Sequence, residues 1–364
     1  IYRKIDAVEY WLFPSKKKSW EYDSSLEYYW EKIQTEFQPD VVHIHGTEFT
    51  HGLAYIRVCG VKNVVVSIQG LVSEIGKVYY AGIPEHEVVR VETLSDKILK
   101  RGIRYAKKHY LMRGEYEKEY LRTVKYVIGR TEWDKSVVMG INPQLKYYTN
   151  EESLNDIFYK HQWKQEKCEP HTIFVSQCSY PIKGFHILLK SMPYILEQYP
   201  DTRIYVAGGN KVYPKTFKKR LADTGYNVYL RQLIEQYGLK GKIVFCGAMP
   251  APQMCEIYLR SNVFIMCSAI ENSSNSLGEA QLLGIPTIAT PAAGNPSMTL
   301  HGKLSLQYDF EDYEQLAKHV IAVFEGGYDQ KMLSEAREFA QKRHSRENNE
   351  RVLMQIYHII ASDN

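Results

Sequence analysis

Short apolar runs rich in β-branched residues alternate with longer stretches that carry apolar side chains at helical spacing. The runs are "DVVHIHG", "NVVVSIQG", "KYVIGRT", "HTIFVSQ", "TRIYVAGG", "KIVFCGA", "NVFIMCS" and "PTIAT". Stretches such as "HILLKSMPYILEQYP" and "VYLRQLIEQYG" lie between them. Runs that are apolar throughout belong to parallel strands buried on both faces. The alternation therefore predicts repeated βαβ units, a doubly wound α/β architecture. At 364 residues the chain is long enough for two such domains.

The weakest patterning falls at residues 147 to 171, which are polar and charged, and a strand candidate starts directly after them. The expected division is 1–155 for a first Rossmann-like domain, 156–343 for a second, and 344–364 for an amphipathic helix that would return to the first. Five strands are legible in the second half and three in the first. A doubly wound domain usually has more than three, so the first domain is expected to be incomplete, with strands preceding residue 1.

Composition excludes several classes. Hydrophobic residues at 44% and charged residues at 24% fit a globular chain with full cores. A formal charge of +4 is too small to point to nucleic acid. No stretch reaches the ~18 uninterrupted apolar residues of a membrane span. Six cysteines show no C-x-x-C pair and no zinc-type spacing, which favours a reducing cytoplasmic compartment.

The stretch "AIENSSNSLGEA" brackets a small polar loop between two acids, Glu271 and Glu279. It lies where the run "NVFIMCS" gives way to a helix. Ligands of open α/β sheets bind beyond the carboxyl ends of the strands. A helix start offers unpaired N–H groups and partial positive charge, so the amides of Asn275, Ser276 and Leu277 would suit a diphosphate. Glu279, one turn into the helix, would accept hydrogen bonds from a ribose diol. Glu271 would face the group on the far phosphate. A dipole-favoured acid and a solvated loop acid would give the same pattern. In "SQCSYPIKGFHILLKSM", Lys183 supplies a compact cation and Gly184 permits close backbone approach, although a surface lysine before a turn would read alike.

In the first half, His43 and His45 share one strand face, and one of them is a candidate core residue. His45-Gly46 and Gln69-Gly70 both follow strand candidates, and Thr131 closes "KYVIGRT". His43, His45 and His51 lack the carboxylate pattern of a zinc site, so no metal is expected. Residues 97–125 are rich in Lys and Arg among Ile, Leu, Tyr and Met. Such a segment is either a solvated helix face or a contact for an anionic membrane surface.

Taken in order, Glu271 and Glu279 with seven residues between them, the following "A-x-x-x-G-I-P-T-I-A-T", "KGF" at 183, "IYVAGG" at 204 and "VFCGAM" at 244 resemble the retaining glycosyltransferases of the GT-B fold, family 4. The likeness is close over about residues 170–300 and looser elsewhere. It implies two Rossmann-like domains with a cleft between them, and a nucleotide sugar, UDP- or GDP-linked, held by the second. By this likeness Glu279 binds ribose, Lys183, Gly184 and the 275–277 amides bind diphosphate, and Glu271 faces the donor sugar. Gly208, Ala248 and Met249 lie toward the base, and Gln177 beside the diphosphate. Gln69 takes the place of a histidine often found near the donor sugar, and Gln177 that of a frequent arginine. A usual two-glycine segment reads "PAAGNP", with Gly294 alone. The first domain, with His45, Gly46 and Thr131, would receive a glycan or polyprenyl-linked acceptor, as in capsule or lipopolysaccharide assembly. The resemblance further implies a front-face displacement without metal or other cofactor, in which Lys183, Glu271 and Gln69 serve the reaction. A peripheral position at the inner face of the plasma membrane would follow. A UDP-sugar epimerase of the same fold and a non-catalytic nucleotide-sugar-binding homologue are the competing readings.

Overall fold

The computed structural model describes residues 1–18, 20–208, 212–214, 216 and 223–363. Gly209, the second glycine of "IYVAGG", lies outside these residues. An antiparallel hairpin, β1 (Tyr2–Ile5) and β2 (Val8–Trp11), opens the chain. The first sheet then runs in chain order: β3 (Val42–His45), β4 (Val64–Ser67), β5 (Tyr126–Gly129) and β6 (Lys146–Thr149), all parallel. β4 and β5 are buried along their whole length, which explains why they read as unbroken apolar runs. β6, "KYYT", is half exposed, and it adds a fourth strand to the three legible in the sequence.

The second sheet comprises β7 (Thr172–Val175), β8 (Arg203–Ala207), β9 (Ile243–Gly247), β10 (Val263–Met266), β11 (Thr287–Ala289) and β12 (Leu306–Gln307). All are parallel, in the order β12-β11-β10-β7-β8-β9. β12 is the strand missed in this half, being only two residues long. The order reverses between β7 and β10, so their carboxyl ends flank the crevice where doubly wound sheets bind ligands.

Three features join the two halves. The helix Arg346–Ser362 lays Ile356 and Ile360 against Val65, Tyr126 and Ile128 of the first sheet. Its Tyr357 hydroxyl lies 2.6 Å from His43 Nδ1, and the other ring nitrogen lies 2.5 Å from Ser67 Oγ. His43 is thus the structural member of its pair; burial lowers its pKa to about 4. Second, the segment between β4 and β5 does not stay with its own sheet. Tyr79, Ile83, Val88 and Val91 share a core with Phe185, Leu188, Tyr226 and Tyr229 of the second half. His186, fully buried, holds the Ala81 carbonyl at 2.8 Å through Nε2. Third, loops at the sheet edges meet, as described below.

The basic stretch 97–125 is not one solvated face. Its helix, Ile103–Thr123, buries Ile103, Gly114, Glu117, Tyr120 and Leu121. Arg104 pairs with Glu92 at 3.3 Å, Arg113 Nε donates to the Glu48 carbonyl at 2.6 Å, and Lys125 meets Asp363 at 2.9 Å. Much of its charge is therefore committed within the molecule. Among the described residues no helix is long and apolar enough to cross a membrane.

Candidate active site

At the crevice between β7 and β10 lies a cavity of about 110 Å³, lined by Ser176, Gln177, Lys183, Ser268, Glu271, Ser274 and Ser276 among others. Its floor is built by a close approach. A 3₁₀ turn, Pro181–Lys183, follows β7, and Ala269 N donates to Ile182 O at 2.8 Å, stitching that turn to the end of β10. Gly184 then takes φ +66°, and a Cβ there would collide with the Cys267 carbonyl oxygen. The glycine is thus required by the packing of two protein loops, where the sequence pointed to a ligand's approach.

Lys183 Nζ donates to Glu271 Oε1 at 2.5 Å, and Ser268 Oγ donates to the same oxygen at 2.8 Å. The ammonium has three donors, so it can hold Glu271 and a phosphate oxygen together. Facing it is the start of the helix Asn275–Leu283, capped by Ser274. Ser274 Oγ accepts the Leu277 N–H at 3.3 Å, so that amide is already engaged, contrary to expectation. Asn275 and Ser276 are the first two helical positions, whose amides have no intrahelical partner. Ser276 lines the cavity, so the helix's partial positive end lies beside it. The Asn275 side chain reaches Glu152 at 3.3 Å.

Glu279 follows one turn later. Tyr258, fully buried, places its hydroxyl 3.0 Å from Glu279 Oε2 and 2.9 Å from the Ser276 carbonyl. Burial pushes the Glu279 carboxyl up to about 7, against the opposing effect of the Tyr258 hydrogen bond. Gly208, Ala248 and Met249 lie at the ends of β8 and β9, further along the same sheet edge, and do not line the cavity. Gly208 N donates to Gly247 O at 2.9 Å, which closes that end of the sheet.

The first half contributes Gln69. Arg130 Nη2 donates to Gln69 Oε1 at 2.8 Å and to Ile68 O at 2.9 Å, fixing the amide. The Gln69 carbonyl lies 3.5 Å from Asn272 Nδ2, next to Glu271. Thr131, expected on the acceptor side, has its hydroxyl engaged within the protein. It is buried, caps its own helix by accepting from Asp134 N, and donates to Asn272 Oδ1 at 2.7 Å. It is a joint between the domains. His45 is exposed at the end of β3, stacked on His43 at 4.0 Å, and Gly46 is buried beside Glu48 with φ +83°. Among the described residues no three His, Cys, Asp or Glu side chains gather as a metal site.

Ser268, Ser274, Arg130 and Asn272 were not singled out in the sequence. Only Ser274 had a signal there, a serine three residues before the first buried helical leucine. Asn272 acts across the domain boundary, and Arg130 reaches Gln69 from a different strand end, so no local pattern reveals either.

Outside this molecule, YtcC of Bacillus subtilis is 30% identical over 164 residues, 44% of this chain and 38% of that protein. The matched stretch spans well under half the length of each of the first curated relatives. Among solved structures, sucrose-phosphate synthase of Thermosynechococcus elongatus superposes with a TM-score of 0.71 at 16% identity, over 93% of this chain and 78% of that one. Anabaena HepE in complex with UDP-glucose gives 0.62 at 16% identity, over 91% and 81%. These likenesses show the GT-B fold. The family model described as glycosyl transferases group 1 matches residues 156–343, more than half of the chain and all of the cavity's lining. The chain belongs to the glycosyl transferases group 1 family.

Proposed function

We propose that this chain transfers a sugar, with retention of anomeric configuration, from a nucleoside-diphosphate sugar to a hydroxyl of a glycan or lipid-linked acceptor, in the manner of family 4. The observation that carries this reading is the convergence of Lys183, Glu271 and the helix-start residues Ser274 and Ser276 on one small cavity at the switch point of the second sheet. A 110 Å³ space suits a phosphate-sized group rather than a whole nucleotide. The nucleoside would run along the sheet edge past Glu279, which receives the ribose hydroxyls, toward Gly208, Ala248 and Met249. That HepE shares the fold and is solved with UDP-glucose supports a UDP-linked donor.

In the reaction, the bond between the anomeric carbon and the β-phosphate oxygen breaks as the acceptor oxygen bonds to that carbon from the same face. The acceptor's proton passes to the leaving diphosphate. Charge would grow on that diphosphate, beside Lys183 and the partial positive charge of the helix start at Ser276, so electrostatic preorganisation would do most of the work. Glu271, held by Ser268, and Gln69, fixed by Arg130, would contact the sugar. No metal is assigned a part. An acceptor carried on a lipid would bring the first domain to an anionic membrane surface, at the inner face of the plasma membrane.

The test is a thermal-shift panel with UDP, GDP, ADP and CMP on this chain and on Glu279→Ala. Ligand at 100 times its Kd stabilises by about 2.7 kcal/mol. A shift with one nucleoside diphosphate, lost in the variant, establishes the site and names the base. No shift with any nucleotide overturns the reading.

A further inference from the structure

The molecule exposes a compact apolar patch that its own folding does not explain. The short helix Leu94–Leu99 leaves Leu94 73% exposed, Ile98 70% and Leu99 55%. Its other side is pinned. Thr93 and Asp96 form a reciprocal capping box, Asp96 Oδ2 also accepts the Gly225 N–H at 2.7 Å, and Thr93 Oγ1 donates to Asp223 O at 3.2 Å. The helix is thus locked to the second domain with its aliphatic side chains held outward. Along this segment the exposed charge has one sign. From Thr93 to Lys108 the chain carries Lys97, Lys100, Arg101, Arg104, Lys107 and Lys108, and the only acid is Asp96, buried beneath the helix. Of the carboxylates beside it, Glu92 is paired with Arg104 and Asp223 with Arg231.

We propose that this patch inserts into an anionic lipid bilayer: Leu94, Ile98 and Leu99 enter the acyl boundary while Lys97, Lys100 and Lys108, all exposed, contact lipid phosphates. Stable attachment of a peripheral protein takes two signals, apolar insertion and basic attraction, and this segment carries both within fifteen residues. A protein partner of ordinary composition would need no ring of uniform positive charge, and a second copy of the chain would oppose it with the same charge. The proposal deepens the reading of a lipid-linked acceptor and draws its purpose from it. It also centres the contact on the short helix, with Lys108 the one lysine taken from the long helix Ile103–Thr123, where Arg104 and Lys118 are paired internally.

The experiment is co-sedimentation of the chain, at low salt, with vesicles of mixed phosphatidylglycerol and phosphatidylcholine and with phosphatidylcholine alone. It is repeated with Leu94→Ser/Ile98→Ser/Leu99→Ser and with Lys97→Gln/Lys100→Gln. The expected result is binding to the mixed vesicles only, weakened at least tenfold by the serine variant and severalfold by the glutamine variant. Melting temperatures and sedimentation velocity accompany each variant. Equal binding by the serine variant, or no binding by the unaltered chain, overturns the proposal. So does a dimer of the unaltered chain that the serine variant dissociates, which would assign the patch to a second copy. Nucleotide thermal shifts are measured on the same samples. Vesicle binding without any nucleotide shift would sink the transferase reading and leave this one standing, and the reverse result would do the opposite.

Discussion

Glu279 and Tyr258 make the clearest case at the scale of single residues. A carboxylate buried beside a fully buried phenol has its pKa raised to about 7, above its ordinary value of 4.5. The folded state therefore holds this proton more tightly than the unfolded chain does. Its contribution to stability falls as pH rises from about 4.5 to about 7 and is constant above that. Hydroxyls of a bound ribose would donate to the ionised form, so nucleotide binding would release the proton. Affinity for the active nucleoside diphosphate should accordingly rise about tenfold between one pH unit below and one above the Glu279 pKa. Isothermal titration at a series of pH values checks this, with Glu279→Gln as the variant whose remaining pH dependence belongs to the phosphates alone. Tyr258 is a positioning residue, since it touches Glu279 and not the cavity. Tyr258→Phe removes a hydrogen bond that favours the carboxylate, so the midpoint of the affinity profile should move to higher pH. A purely structural role would lower the melting temperature and leave that midpoint in place.

At the scale of elements, the turn between β7 and the helix Phe185–Gln198 decides whether the cavity exists. Gly184 has φ +66° and no room for a Cβ against Cys267 O. Gly184→Ala should cost more than about 2 kcal/mol and displace Lys183 from Glu271, seen as a lowered urea midpoint together with lost nucleotide binding. This element also shows what was legible. That Lys183, Glu271 and Glu279 share one sheet edge was legible because a strand-to-helix turn lies at the carboxyl end of its strand, a rule that needs only the order of apolar runs. β6 escaped because its Tyr147 and Tyr148 are half-buried between two lysine- and threonine-bearing ends, without an apolar run. β12 escaped because two residues carry no period. The segment from Tyr79 to Val91 had no reading in the sequence for a different reason. Its apolar residues answer to helices more than ninety positions away, and local spacing records nothing of a distant partner.

Across the whole molecule, the domains are tied at several places, and the ties differ in kind. One is polar and buried. Arg343 pairs with Glu151 at 2.9 Å and donates to Arg130 O at 2.8 Å, and Arg130 pairs with Glu152 at 3.0 Å. Burial raises Glu151 to about 7 even beside two arginines. Truncating one partner of such a pair strands the other charge, so Arg343→Met should destabilise by about 3–5 kcal/mol by chemical denaturation. Arg343→Met with Glu151→Leu should recover most of that loss, because no charge is then left alone.

The other large tie is apolar: Tyr79, Ile83, Val88 and Val91 packed on Phe185, Leu188, Tyr226 and Tyr229. Domains joined by small polar interfaces move freely, whereas a hydrophobic interface resists opening. The returning helix Arg346–Ser362 adds a further constraint from the opposite end of the chain. Donor binding here should then proceed by local adjustment of the loops around the cavity, without wide rigid-body closure. Hydrogen exchange with saturating nucleotide should show protection at residues 176–184 and 268–279 and no change at 79–91. Small-angle scattering should give the same radius of gyration with and without ligand. Val88→Asp buries an unpaired charge in the clasp, and it should raise the radius of gyration of the free protein and restore a ligand-dependent compaction. If the unaltered protein already compacts on binding nucleotide, the clasp slides rather than holds, and the apolar contacts between the domains serve as a bearing.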